Sequence, residues 1–256
     1  MELWFFLTLL GLMLIAALYS SVGHGGASGY LAILSLTAFA TRDSAWLKQQ
    51  VWCLNLLVAA LAFYHYRRSG NHIPKLTIPF IVASIPLAVI GGYMAVSGGI
   101  YDILLSLTLV WAAWRLFSIP SESGGNSEIV IPEMKVAAPL GGAIGFLSGI
   151  IGVGGGIFLS PIILLKKWAT PKSAAATAAL FIWVNSAAGL TGSALSGQLV
   201  LEVGTLIWFL SAVLVGGIIG SRYGAYFATQ NVVRKILVIV LVIAALKRLL
   251  EVAQIL

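Results

Sequence analysis

Long apolar stretches alternate with short polar ones along the whole chain. Each half of the sequence has one long, interrupted apolar segment followed by three plainer ones. The eight segments are 3–40, 46–66, 76–96, 101–117, 136–165, 173–195, 203–221 and 233–250. A helix of about 20 apolar residues is long enough to cross the ~30 Å hydrocarbon core of a bilayer. The pattern therefore predicts an all-α integral membrane protein.

The composition supports this interpretation. Hydrophobic residues make up 60% of the 256 positions, charged residues 9%, and the mean hydropathy is +1.02. An ordinary soluble domain has far more charge on its surface. The formal net charge of +7 comes from Lys and Arg residues at the ends of the apolar segments, which is typical of membrane topology signals rather than of nucleic-acid binding. We therefore expect the lipid bilayer, and no nucleic acid, as a partner.

A polar linker divides the chain into two similar halves. It covers residues 118–135 and is rich in Ser, Gly, Pro and Glu, so we predict a first transmembrane repeat over 1–117 and a second over 136–256. An offset of 129 positions places the glycines of 23–26 on those of 152–155. Self-similarity of this kind indicates a duplicated unit of four segments.

The distribution of positive charge favours opposite orientations for the two repeats. If all eight segments crossed the membrane, the fifteen Lys and Arg residues would divide seven against eight between its two sides. If each interrupted segment were instead a re-entrant hairpin, they would divide eleven against four. Because cytoplasmic loops are enriched in Lys and Arg, we predict inverted repeats with both chain termini on the outer side.

One glycine cluster interrupts the long apolar segment of each half. Residues 23–29 read Gly-His-Gly-Gly-Ala-Ser-Gly, and residues 152–156 read Gly-Val-Gly-Gly-Gly. Non-helical backbone is tolerated within a membrane where protein, water or a ligand satisfies its polar groups. Short helices beginning near Ser28 and Ile157 would direct their N-terminal amides into the breaks, and such amides attract anions. The alternative is that these glycines only allow close helix packing.

The second cluster also has a family signature. The run Phe-Leu-Ser-Gly-Ile-Ile-Gly-Val-Gly-Gly-Gly over 146–156, followed by Pro161, resembles that of the sulfite exporter TauE/SafE family of bacterial membrane permeases. The resemblance implies a carrier for sulfite, sulfonates or related organosulfur anions in the bacterial cytoplasmic membrane. The first half departs from the pattern, because His24 and Ala27 stand where Val153 and Gly156 stand in the second half.

The candidate substrate site consists of neutral hydrogen-bond donors and glycines around the two breaks. No Lys or Arg lies clearly in the middle of a span, and we predict no catalytic residue, metal or cofactor. His24 has two possible roles. A histidine, with an ordinary pKa of about 6.5, could bind the anion or a proton, or its ring could simply bond to a backbone carbonyl. The predicted substrate-binding residues are Gly23, His24, Gly25, Gly26, Ser28, Asn55, Ser148, Gly152, Gly154, Gly155, Gly156, Thr177 and Asn185.

Four further possibilities stay open at this point. The two Asn residues could bond between packed helices instead of contacting a ligand. A passive anion channel would use the same lining chemistry, and Gly26-Ala27-Ser28-Gly29 matches the G-x-S-G pattern of intramembrane serine proteases, with Ser28 as the nucleophile. A homodimer could form if Gly91-Gly92 and Gly216-Gly217 packed against a second copy.

Overall fold

The protein is a bundle of α-helices in a computed structural model that describes residues 3–94 and 130–229, with 103, 107 and 114 between them. Those two ranges contain no β-strand. The helices are α1 (Leu3–Ser20), α2 (Ala27–Ser35), a 3-10 turn (Ala38–Thr41), α3 (Ser44–Arg68), α4 (Pro74–Tyr93), α5 (Met134–Ile151), α6 (Gly156–Leu165), α7 (Pro171–Leu195) and α8 (Val203–Tyr226).

Six of these helices are long and apolar enough to cross a membrane: α1, α3, α4, α5, α7 and α8. They confirm the prediction of an all-α, multi-pass membrane protein. The predicted segment 233–250, the predicted segment 101–117 apart from single residues, and linker residues 118–129 lie outside the described residues.

Helices α3 and α7 form the centre of the bundle. Two thirds of their spanning residues are buried, against one third for α1 and α8. The two central helices run antiparallel, as three successive contacts show: Asn55 with Ser186, Trp52 with Gly189, and Gln49 with Ser193. α7 starts sharply because the Thr170 hydroxyl accepts a hydrogen bond from the Ser173 amide and Pro171 occupies the first turn.

Two outer pairs of helices connect the halves of the chain, and each pair runs parallel. The glycines of α5 lie against the backbone of α4: Gly141 at Phe80, Gly145 at Ser84 and Gly149 at Ala88. The glycines of α8 lie against α1 in the same way: Gly216 at Met13, Gly220 at Ala17 and Gly224 at Ser21. Each residue without a β-carbon lets the two backbones approach closely.

This packing corrects the expectation for the dimer. Gly91 and Gly92 lie against α5 and α7, and Gly216 and Gly217 lie against α1 and α3. A β-carbon at Gly217 would come within 3.2 Å of Leu61, and one at Gly92 would overlap the Gly189 backbone. These glycines therefore face the interior of the chain, so they give no argument for a second copy.

Each short helix returns along the helix that precedes it. Gly29 of α2 lies against Ile15 of α1, and Gly11 of α1 lies against Ile33 of α2, so α1 and α2 are antiparallel. In the second half, Gly141 near the start of α5 contacts the Phe80 backbone. Trp168, just beyond α6, also lies beside Phe80, with 6.0 Å between their ring centres. In both halves the chain thus returns toward the end of the bundle where the segment began.

Candidate functional site

The two glycine clusters are breaks between helices. α1 ends at Ser20 and α2 begins at Ala27, whereas α5 ends at Ile151 and α6 begins at Gly156. The backbone between them is left-handed at five glycines: Gly23, Gly26, Gly152, Gly154 and Gly155. Other residues adopt this conformation only with strain. The clusters therefore do more than allow close helix packing, and the short helices begin within one residue of the predicted positions.

Both breaks meet at one side chain of α3. A β-carbon at Gly25 would overlap the Asn55 Oδ1, and one at Gly154 would lie 2.9 Å from the Asn55 Nδ2. Asn55 is fully buried, and its Nδ2 donates to the Ser186 Oγ at 3.3 Å. Its Oδ1 accepts no hydrogen bond within the described ranges. The fold thus brings residues 129 positions apart onto opposite sides of a single amide.

His24 extends from the first break to the second. Its Nδ1 lies 2.9 Å from the Val22 carbonyl oxygen, and its ring lies near the Gly156 backbone at the start of α6. The side chain is 7% exposed. The structural role considered for this histidine, bonding to a carbonyl, is therefore present, and the role in binding an anion or a proton stays a prediction.

A small cavity lies at the meeting point of the two breaks. Its volume is about 10 Å³, enough for about one water molecule. It is lined by Tyr19, His24, Gly25, Gly26, Ala27, Ser28, Val153, Ile157 and Ile182. Residues of both halves therefore line one small space, with Ile182 of α7 beside it.

The N-termini of α2 and α6 face this region without a side-chain cap. Gly26 and Gly155 occupy the capping positions, and within the part of the chain that the structure describes neither helix receives a capping bond from a side chain. The first amides of a helix have no partner within the helix itself. Two sets of such donors, each with the partial positive charge of a helix N-terminus, are present at the breaks.

Ser28 lies in the cavity but has no base beside it. Its Oγ is hydrogen-bonded to the Tyr19 hydroxyl at 2.9 Å, whereas the His24 ring is directed to Val22 and Gly156. A serine nucleophile needs a histidine or an equivalent base within hydrogen-bonding reach. This arrangement gives no support to the alternative of a serine hydrolase.

Four of the thirteen predicted residues line the cavity, namely His24, Gly25, Gly26 and Ser28. Three of the other nine have surroundings of their own. Thr177 bonds to Thr77 of α4 at 2.9 Å, and Asn185 donates to the Phe181 carbonyl of its own helix at 2.8 Å. Ser148 is fully buried in the last turn of α5, and its Oγ has no partner among residues 3–94 and 130–229. Their part in substrate binding stays a prediction.

The structure adds one residue that sequence reasoning missed. Lys48, expected at the outer edge of its segment, is 4% exposed, and its stem lies against Gly152. A weak signal was available, because Lys48, Gln49 and Gln50 are consecutive polar residues inside an apolar segment and all three are buried. The direction of the Lys48 side chain could not be read from the sequence.

Comparison with known proteins identifies the family. The family model described as sulfite exporter TauE/SafE matches residues 7–248. A probable membrane transporter protein of Sinorhizobium fredii, y4hK, is 34% identical over 240 residues, which cover 92% of this chain and 94% of the relative. A second, YunE of Bacillus subtilis, is 26% identical over 210 residues, or 73% of each chain. No solved structure matches the chain significantly. The chain therefore belongs to the sulfite exporter TauE/SafE family and is a membrane transporter rather than an enzyme.

Proposed function

We propose that this transporter moves a small sulfur-containing anion, such as sulfite or an organosulfonate, across the bacterial cytoplasmic membrane. The observation that carries the proposal is the convergence of both helix breaks on Asn55. Intramembrane helix breaks from two related halves, meeting at one polar point, are typical of substrate sites in secondary transporters. The sulfur chemistry comes from the family, whose name refers to sulfite export.

The chemistry of the meeting point suits an anion. The donors around it are the amides at the starts of α2 and α6, the His24 ring and the Asn55 amide. Among the lining residues of the cavity there is no Asp or Glu that would repel an oxyanion. Amide and hydroxyl groups can match several oxygens of a sulfite or sulfonate group without a full positive charge.

Alternating access between inverted repeats is the mechanism that we propose. It is supported by the directions of the matched helices: α3 and α7 run antiparallel, and α1 pairs with α8 as α4 pairs with α5. The basic residues also support it, because Lys172 donates to the Ala225 carbonyl at 3.0 Å, and His65, near Arg67 and Arg68, bonds to Ser221 at 2.8 Å. The loops around 67–75 and 166–172 thus lie at the same end as the C-terminal part of α8.

The size of the cavity favours a carrier over a passive channel. A space for about one water is too small for sulfite, so the anion requires a second arrangement of the breaks. A closed site that must rearrange for each substrate saturates, whereas an open pore does not. Counterflow of labelled sulfite in proteoliposomes is the expected result for a carrier. Flux that rises linearly with concentration and follows only the membrane potential would instead assign a channel.

A pair of matched asparagines tests the site itself. Both Asn55 and Asn185 are fully buried, but only Asn55 lies between the breaks. We expect Asn55→Ala to raise the KM for the transported anion about tenfold, since it removes one ligand hydrogen bond, and Asn185→Ala to change it less. The measurement is the initial rate of uptake into proteoliposomes for sulfite, an alkanesulfonate and acetate. Equal effects of the two variants would contradict the placement of the site at Asn55, and no saturable flux of any sulfur anion would contradict the proposed substrate class.

A further inference from the structure

Lys48 is a buried residue beside the second helix break. It lies in the second turn of α3, and 4% of the residue is exposed. A β-carbon at Gly152 would lie 3.0 Å from the Lys48 Cγ, so the lysine stem covers the point where α5 ends. The residue belongs to the first half of the chain, and the break that it covers belongs to the second.

The positive charge of Lys48 has no negative partner in the described structure. Within residues 3–94 and 130–229 the one ion pair joins Arg42 to Glu202. The Lys48 ammonium instead lies 5.8 Å from the centre of the Trp52 ring, four residues further along α3. A cation above a ring is stabilised only in part, because the ring does not replace the hydration of a buried charge.

Lys48 lies on the same face of α3 as Asn55, the residue at which the two breaks meet. Lys48, Trp52 and Asn55 occupy positions i, i+4 and i+7, which are neighbours on one side of a helix. The first of them lies against Gly152 and the last against Gly154. The indole Nε1 of Trp52 is buried and has no hydrogen-bond partner among the described residues. Lys48 and Asn55 thus lie beside the second break, and the Trp52 indole between them along α3 lies against Gly189 of α7.

We propose that Lys48 forms the charged contact of the transported anion at the second break, with the Trp52 indole and the Asn55 amide as the neutral donors beside it. This inference rests on the proposed function and names the cation of that site. The ligand is an oxyanion with a localised negative group, whether sulfite, sulfonate or carboxylate. The bound anion provides a full counter-charge for Lys48, which the Trp52 ring does not. The ammonium in turn compensates the anion for its lost hydration better than neutral groups alone.

Arg42 provides a matched control at the same end of α3. Its guanidinium lies 5.2 Å from the centre of the Trp46 ring, four residues ahead, just as Lys48 lies over Trp52. Arg42 differs because it is about half exposed and already pairs with Glu202 at 3.0 Å. A cation over a tryptophan is therefore common to both residues, and burial without a counter-charge is specific to Lys48.

The test compares Lys48→Gln, Lys48→Arg and Arg42→Gln in proteoliposomes with sulfite, methanesulfonate and acetate. We expect Lys48→Gln to raise the KM about tenfold or more, which is the factor for one charge-assisted hydrogen bond, and Lys48→Arg to recover most of the affinity. Arg42→Gln should leave the KM unchanged. The Tm of Lys48→Gln without anion should not fall, since the variant removes an unpaired buried charge, and the stabilisation by added anion should shrink.

The outcomes separate the two proposals. Saturable sulfite flux with an unchanged KM in Lys48→Gln would overturn the role of Lys48 and leave the transport function intact. No saturable flux of any anion in the unaltered protein would overturn the proposed function first. If Lys48→Gln does not fold, amine labelling of the unaltered protein decides: bound sulfite should protect Lys48 at least several-fold and should leave Lys75 as reactive as before, and equal labelling with and without sulfite would contradict the inference.

Discussion

The two helix breaks occupy matching positions but differ in the polar groups around them. At the 129-residue offset, Tyr19 corresponds to Ser148 and Ser28 corresponds to Ile157. Tyr19 and Ser28 satisfy each other with a hydrogen bond of 2.9 Å in the first half. In the second half the residue that corresponds to Ser28 is apolar, and the Ser148 hydroxyl has no partner within the described ranges.

The central residues of the breaks differ in the same way, polar in the first break and apolar in the second. The first break contains His24, which bonds to the Val22 carbonyl and reaches across to Gly156. The second contains Val153 at the same place, and the polar side chains nearest to Gly154 come from α3 and α7, as Asn55 and Ser186. The duplication thus preserves the backbone of the break. The first break also has polar side chains of its own, residues 152–156 have none, and both breaks lie against Asn55.

The largest effect is expected where the backbone of the second break is changed. Gly154 is left-handed, and a β-carbon there would lie 2.8 Å from Ile182 and 2.9 Å from Asn55. Gly154→Leu combines backbone strain with overpacking, so we expect a loss of about 2–5 kcal/mol in stability and transport at background level. Thermal unfolding and proteoliposome flux measure the two effects.

Gly204→Ala is the control for that substitution. Gly204 lies in the first turn of α8 with open space around its Cα, so alanine should be tolerated or slightly stabilising. Normal transport by Gly154→Leu would mean that the second break is not part of the site.

Exchanging the central residues should produce an intermediate effect. His24→Val removes the contacts with Val22 and Gly156, so we expect flux to fall about tenfold and its dependence on pH to become flatter. Val153→His places an imidazole at a buried position, 4% exposed, and should cost about 1–3 kcal/mol in stability. Flux and pH profiles of His24→Val identical to those of the unaltered protein would show that the two breaks are chemically equivalent.

The smallest effect is expected for the tyrosine–serine pair. Tyr19→Phe removes the hydroxyl that bonds to Ser28, so we expect a loss of about 1 kcal/mol. A double-mutant cycle with Ser28→Ala isolates the coupling, which should be of similar size. Ser148→Ala removes an unpartnered hydroxyl and should leave stability nearly unchanged. A loss for Ser148→Ala as large as that for Tyr19→Phe would remove this difference between the breaks.

The helices could be predicted from the sequence because their signal is local. Runs of apolar residues long enough to span a bilayer placed all six long helices, and glycine clusters within such runs placed the two breaks. A short helix after each break followed from the same pattern. None of these inferences required knowledge of which helices are neighbours.

The partners of individual side chains could not be predicted, because they depend on contacts between distant segments. Asn55 and Asn185 look equivalent in the sequence, yet one lies between the breaks and the other bonds to its own helix. Gly91 and Gly216 read as sites for a second copy, but each packs against a helix of the opposite half. The burial of Lys48 likewise depends on the position of Gly152, about one hundred residues later in the chain.

The pairing of outer helices across the halves has a consequence for biosynthesis. Ser20 of α1 bonds to Gly217 of α8, 197 residues later, at 3.2 Å. At a translation rate of about 5–20 residues per second, α1 is made roughly 10–40 s before its packing partner. During that interval the face of α1 that packs against the glycines of α8 is available to lipid, to the insertion machinery or to membrane proteases. The first half of this transporter cannot complete its outer wall until the last described helix has been inserted.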